Sequence, residues 1–309
     1  MGYDVSYHPI DVGLIHERVL PYVLGATPHD GIDDLVSAGA RIRRIRWRAK
    51  AWALGARSRM SGDEAFRYIW GRPLFTTSGD AESVAQDVVR YLRMSTEDDV
   101  DALARGMAAA LPNGEPTEPT EPGYYPGTED QLRDEVGGGL RSLRAAVAAL
   151  RSGADRVPGL RTDAAPAEVL ASRAVFDIVD FASTLTPGWM ERGRVWPTRL
   201  GADAGLGQPP GFGPPEPLIA PLRAELPTVK WDLYDTIVEN YSVGGFVDAI
   251  DVPTVRQWFA ENRDRILAAD EHAALPLTKL DEALALCARL GYAFCEATEI
   301  YSGFEGRTN

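Results

Sequence analysis

The spacing of apolar positions along the chain is predominantly helical. Across residues 40–59, Ile42, Ile45, Ala49, Trp52 and Ala56 recur at i, i+3, i+7, i+10 and i+14, one continuous stripe on an amphipathic helix. The same period turns Val84, Val88 and Tyr91 inward on a helix over about residues 80–93. It does so again for Val100, Leu103, Met107 and Leu111 on a helix that starts near Thr96 and ends at Pro112. A capping box over residues 128–131 opens a long helix through Leu132, Val136, Leu140, Leu143, Val147 and Leu150. The run Gly137-Gly138-Gly139 inside it costs about 1 kcal/mol per glycine relative to alanine, so it predicts either close helix packing or a break. Residues 165–185 are apolar on more than one side, as in a central helix.

Shorter or later helices follow the same logic. Asp11 caps one carrying Leu14, Ile15 and Val19, which Pro21 stops or kinks, and Ser61-Gly-Asp-Glu64 reads as the capping box of another. Residues 229–241 read as a helix with Trp231, Tyr234, Val238 and Tyr241 on one face. Asp251 and Pro253 start a helix through Trp258, Phe259, Ile266 and Leu267, and Thr278 caps one through Leu280, Leu284, Cys287 and Leu290 that Gly291 closes. Three segments read as short strands: residues 3–7, ended by His8-Pro9, residues 244–250, and residues 292–300. Residues 112–127, with repeated Glu-Pro, and 201–221, rich in proline and glycine, read as irregular. The expected fold is mainly α (α+β): a helical bundle with a small sheet formed by the N- and C-terminal segments. Five regions follow: 1–111, helical with a short first strand; 112–127, a linker; 128–200, helical; 201–221, a loop; and 222–309, α+β.

Charge refines this picture. The 309 residues carry a net charge of −13. Arg41, Arg43, Arg44, Arg46, Arg48, Lys50, Arg57 and Arg59 lie together with no acid between them, so the rest of the chain carries −21. Arg41, Arg44 and Arg48 form one row on that helix, and Arg43, Arg46 and Lys50 another, flanking the apolar stripe. Two uses fit: a site for an anion or an acidic partner, or an internal clamp onto acids of neighbouring helices. So acidic a chain is not expected to bind nucleic acid over its whole surface.

Catalytic signatures are sparse. The two cysteines, Cys287 and Cys295, make neither a CxxC motif nor a disulfide framework, which suits a reducing, cytoplasmic compartment. Neither a leader pattern over residues 1–10 nor an apolar run near the ~18 residues of a membrane span is visible. The four histidines lack metal-ligand spacing, so no metal and no cofactor is expected. No nucleophile elbow or phosphate-binding glycine loop is present. The polar groups to inspect are Asp4, His8, Glu296 and Glu299. On a strand Glu296 and Glu299 point to opposite faces, unlike a glycosidase pair.

The opening residues 1–10, together with Gly244-Gly-Phe-Val, Asp251-Val-Pro, Leu280-Asp-Glu-Ala-Leu and residues 291–301, resemble bacterial proteins associated with polymorphic toxins, some of them presumed immunity proteins. The resemblance covers about the first 25 and the last 90 residues of the chain. It implies an intracellular bacterial α+β protein whose ends pack together, and it brings no catalytic residue set. Abundant alanine, and 29 arginines beside three lysines, also fit a GC-rich bacterial genome. The expectation is a non-enzymatic interaction protein, an immunity or regulatory partner of a toxin or effector, with a protein partner. The alternative is an enzyme or binder of a small anionic ligand that uses the basic helix.

Overall fold

A computed structural model describes residues 4–60, 62, 71–112, 117–121, 127–160, 164–193 and 195–300. The short helix expected after Ser61 lies outside the described residues. The two ends of the chain meet in an antiparallel sheet of β1 (Asp4–Ile10), β2 (Trp189–Arg192), β3 (Val243–Val247) and β4 (Ala293–Thr298), in the order β2-β1-β4-β3. β1 and β4 pair from Val5 opposite Thr298 to Ile10 opposite Ala293. The expected pairing of the chain ends is therefore present, although His8-Pro9 does not end β1. Pro9 lies beyond the last residue paired with β2, so on that side its missing N–H interrupts no ladder. β2 is an addition to the three expected strands.

Strand alternation divides the sheet into two buried faces. Val5, Tyr7, Trp189, Phe294 and Val247 join one core; Ile10, Cys295, Ala297, Val243 and Phe246 join the other. Asp11 caps a helical stretch over residues 12–23 that continues through Pro21. The α-helices after it are α1 (Asp33–Ala56), α2 (Ala81–Leu92), α3 (Glu97–Ala109), α4 (Glu129–Ser152), α5 (Pro166–Leu185), α6 (Pro197–Asp203), α7 (Glu216–Glu225), α8 (Val252–Ala269) and α9 (Ala274–Leu290). α9, backed by α2 and α8, closes the first face; α5, backed by α4, closes the second; α1 packs against α3, α4 and α5. Residues of the first, central and last predicted regions share both cores.

Local chemistry explains most helix boundaries. Thr96 and Thr128 each complete a capping box. α1 begins earlier than the stripe alone indicates, because Asp33 and Asp34 stabilise its first turn and Val36 adds a buried position. α4 runs unbroken through its three glycines. A Cβ on Gly139 would stand 3.1 Å from that of Asp177 on α5, and one on Gly137 would stand 3.3 Å from Val36 of α1, so close helix packing accounts for these two; a Cβ on Gly138 would meet nothing within 4 Å. Residues 201–221 are less irregular than expected, since they hold the ends of α6 and α7. α9 starts at Ala274, ahead of Thr278.

The helix expected over 229–241 is absent. Residues 226–242 have no regular secondary structure. Ile237 gives its backbone N–H to Glu296, and Tyr241 takes a φ of 56°, so tertiary bonds replace the i→i−4 pattern.

Two ion pairs lie between α9 and β2. Arg72 grips Glu282 with Nε 3.0 Å from Oε2 and Nη2 2.7 Å from Oε1, and Trp189 Nε1 donates to the same carboxylate at 2.9 Å. Lys279 Nζ donates to Glu191 and to the Met190 carbonyl, each at 2.9 Å. Removing one member of a buried pair strands the other charge, which typically costs ~3–5 kcal/mol. We expect Glu282→Gln to lower the unfolding free energy in urea by about that much, and Arg72→Met with Glu282→Leu to recover most of the loss. A loss below about 1 kcal/mol in the single variant would contradict this account.

Candidate functional site

Glu296 is the most unusual polar group in the molecule. It lies on β4 opposite Tyr7, fully buried, and faces α9's side of the sheet. Among the described residues its carboxylate accepts only from uncharged donors. Thr198, in the first turn of α6, gives its N–H to Oε2 at 3.1 Å and its hydroxyl to Oε1 at 2.6 Å. Gly245 of β3 gives its N–H to Oε1 at 3.0 Å, and Ile237 adds a fourth donor.

Behind Thr198 the hydroxyl of Thr236 stands 2.5 Å away, and Trp196 Nε1 donates to Thr236 at 3.0 Å. An indole N–H only donates, so the chain of protons runs from Trp196 through Thr236 and Thr198 to Glu296. Burial pushes the Glu296 carboxyl up from 4.5, the four donors pull it back, and it rests at about 7.

The register slip between Val243 and Phe246 falls at Gly244-Gly245 and frees the Gly245 N–H for this carboxylate. Gly244 also lets the 226–242 segment lie against β3, because a Cβ there would collide with backbone atoms of Thr236 and Ile237.

His8 lies on the opposite face, beside Cys295, also fully buried. Its Nε2 is 2.7 Å from Ser6 Oγ, and that hydroxyl in turn donates to the Ala297 carbonyl at 3.4 Å. Ser6 therefore accepts from Nε2–H, and Nδ1, which faces Gly188, is left without a partner among the described residues. Burial and the nearby Arg46 push the imidazole down to about 3, so it is neutral. Burial raises the Cys295 thiol well above its ordinary value, which leaves it a poor nucleophile.

The four polar groups singled out in the sequence do not converge. Asp4 and Glu299 meet at one end of the sheet, where Glu299 N–H donates to the Asp4 carbonyl at 2.8 Å. Glu299 has a φ of 60° and lies outside the strand alternation. Glu296 and His8 are separated by the sheet itself. Among the described residues no cluster of three or more histidine, cysteine or acidic side chains has metal-site geometry, and no helix is long and apolar enough to cross a membrane.

The cations of α1 are engaged within the fold. Arg43 reaches Glu135 at 3.0 Å and lies beside Asp180, and Arg44 reaches Glu129 at 3.0 Å. Arg48 makes two bonds to Asp101, at 2.5 and 2.8 Å, and one to Glu121 at 2.7 Å. Arg41 donates to the Met94 carbonyl, and Arg46 and Lys50 are 2% and 8% exposed. Arg48 and the Trp52 indole together hold the Asp101 carboxyl below its usual range. A cleft of about 840 Å³ opens elsewhere, between α4, α5 and Thr228, Lys230 and Asp232 of the irregular segment, with Leu160, Ala167 and Val169 on its apolar side.

Thr198, Thr236 and Gly245, the groups that hold Glu296, carry no sequence signature. The readable signal is the close acidic pair of Glu296 and Glu299. No family model matches the chain, and no curated protein or solved structure matches it.

The two buried titrating groups act on stability with opposite signs. Folding raises the pKa of Glu296, so between about pH 4.5 and 7 the native state holds more protons than the unfolded chain, and stability falls as pH rises. Folding lowers that of His8, so between about pH 3 and 6.5 the unfolded chain holds more protons, and stability falls as pH drops. We expect the stability of Glu296→Gln relative to the parent to rise by about 3 kcal/mol from pH 4.5 to 8. That of His8→Gln should rise by about 3 kcal/mol from pH 7 to 4. Urea titrations across this range measure both; parallel pH profiles for parent and variants would refute the assignment.

Proposed function

We propose that this chain is a non-enzymatic interaction protein, an immunity or regulatory partner of a bacterial toxin or effector, and that it binds a basic protein surface. The observation that carries the reading is the partition of charge. Arg43, Arg46 and Lys50 of α1 are buried, and Arg44 and Arg48 are paired with acids of the same chain. The net charge of −13 is thereby carried outward by carboxylates, including exposed Asp98, Asp130, Asp232, Asp235, Glu239 and Glu271. Such a surface accelerates encounter with a cationic partner.

The burial of His8, Glu296, Cys287 and Cys295 also favours binding over catalysis, because each is 0% exposed. Binding of a small anion by residues 40–59 draws little support from the geometry of α1, where Arg41, Arg43, Arg44 and Arg48 already have internal acceptors. The reading predicts that the tagged chain, purified from a lysate of its host at low salt, elutes with one basic protein in stoichiometric amount. The complex should dissociate as sodium chloride approaches about 0.5 M. Recovery of no stoichiometric protein partner would overturn it.

A further inference from the structure

We infer that the irregular segment 226–242 is the docking face for a partner surface rich in lysine and arginine and bearing apolar anchor side chains. This rests on the reading above that the chain binds a basic protein. Three of the four exposed large apolar side chains among the described residues lie here: Tyr234, Val238 and Tyr241, at 43%, 48% and 64% exposure. Exposed Asp232, Asp235 and Glu239 alternate with them, against the single cation Lys230. These three acids have no cationic partner among the described residues, unlike the acids that face α1. Aromatic side chains are enriched among interface anchors, and charges of one sign around them select a partner of the opposite sign, here a cationic one.

The segment is also held in place. Ile237, between Tyr234 and Val238, is tied to Glu296; Thr236 is tied to Thr198 and Trp196; the Asp235 backbone carbonyl accepts from Gln208 Nε2 at 2.9 Å. Tyr241 stacks edge-on against Phe176 of α5, with ring centres 6.1 Å apart. A 17-residue stretch without regular structure is long for a simple connection, and fixing it in advance removes much of the ordering cost of binding. Thr228, Lys230 and Asp232 of the same segment form one wall of the 840 Å³ cleft, whose apolar side can seat an anchor side chain of the partner.

The test uses the full chain and a phage-displayed random peptide library. Panning should enrich peptides with several lysines or arginines and one or two large apolar residues. Their affinity for the parent, for an apolar variant (Tyr234→Ser, Val238→Ser, Tyr241→Ser) and for a charge variant (Asp232→Asn, Asp235→Asn, Glu239→Gln) is then measured by fluorescence anisotropy. A control variant, Asp98→Asn, Asp130→Asn and Glu271→Gln, changes the net charge equally at distant exposed sites. Each segment variant should weaken binding by about tenfold or more, and the control by about twofold or less. Equal weakening by segment and control variants would overturn this face and leave the interaction reading standing. Enrichment of neutral or acidic peptides, or of none, would overturn both. Concentration-dependent self-association of the parent that the segment variants abolish would identify a second copy as the occupant, against the proposal.

Discussion

Both faces of the central sheet are closed by helices, and this governs every polar group the sheet carries. A charge or hydrogen-bonding atom taken out of water must be met inside the protein. The chain meets that requirement in three ways. Glu282 and Glu191 are given cations, from Arg72 and Lys279. Glu296 is given four uncharged donors. His8 meets the requirement only in part: its ring stays neutral and bonds through one nitrogen to Ser6, while Nδ1 has no partner among the described residues. The choice follows position. Cations reach the sheet from α9 and from the stretch that packs on it, whereas Glu296 looks toward the backbone of α6, the Gly244-Gly245 bulge and the segment before β3.

The same constraint clarifies the heavy use of arginine. A buried cation must stay charged and satisfy several acceptors at once, and guanidinium does both with five donors in a fixed plane. Arg72 shows the advantage, with bonds to both oxygens of Glu282 and a further one to the Thr76 carbonyl at 3.3 Å. A lysine there offers one ammonium to the same three oxygens. Lys279 serves where the acceptors are a carboxylate and a carbonyl close together, and Gly71 leaves room for its stem. Arg43, Arg44, Arg48 and Arg256 likewise join one helix to another element of the fold.

Most of the architecture was legible because apolar residues repeat with the helical period along α1 to α5 and in α8 and α9. The pairing of the chain ends was an implication of the resemblance, since alternation over residues 3–7 does not by itself name a partner strand. β2 was not legible, since its four residues are too few to establish a period. Buried ion pairs were illegible in principle, because Arg72 and Glu282 are 210 positions apart and nothing local links them. The Glu296 site was half legible. The close acidic pair of Glu296 and Glu299 drew attention, but the ligands of Glu296 come from α6, β3 and the segment between, and their identities depend on the fold being complete. The basic rows of α1 left two uses open, and only the positions of Glu129, Glu135, Asp101 and Glu121 distinguish them.

The misread segment at 229–241 is instructive for what its pattern means. Trp231, Tyr234, Val238 and Tyr241 have the spacing of a buried helical face, yet the backbone is not helical and three of the four stay in water. The hydrophobic period reports that these side chains suit burial together, not that this chain buries them. The backbone bonds that would have closed a helix are drawn off by Glu296 and by Gln208, so the fold holds the segment open at the expense of exposed apolar surface. Scattered exposed apolar residues are ordinary on a protein surface. Three in one anchored stretch, interleaved with acids that have no cationic partner among the described residues, are the observation on which the proposed docking face rests.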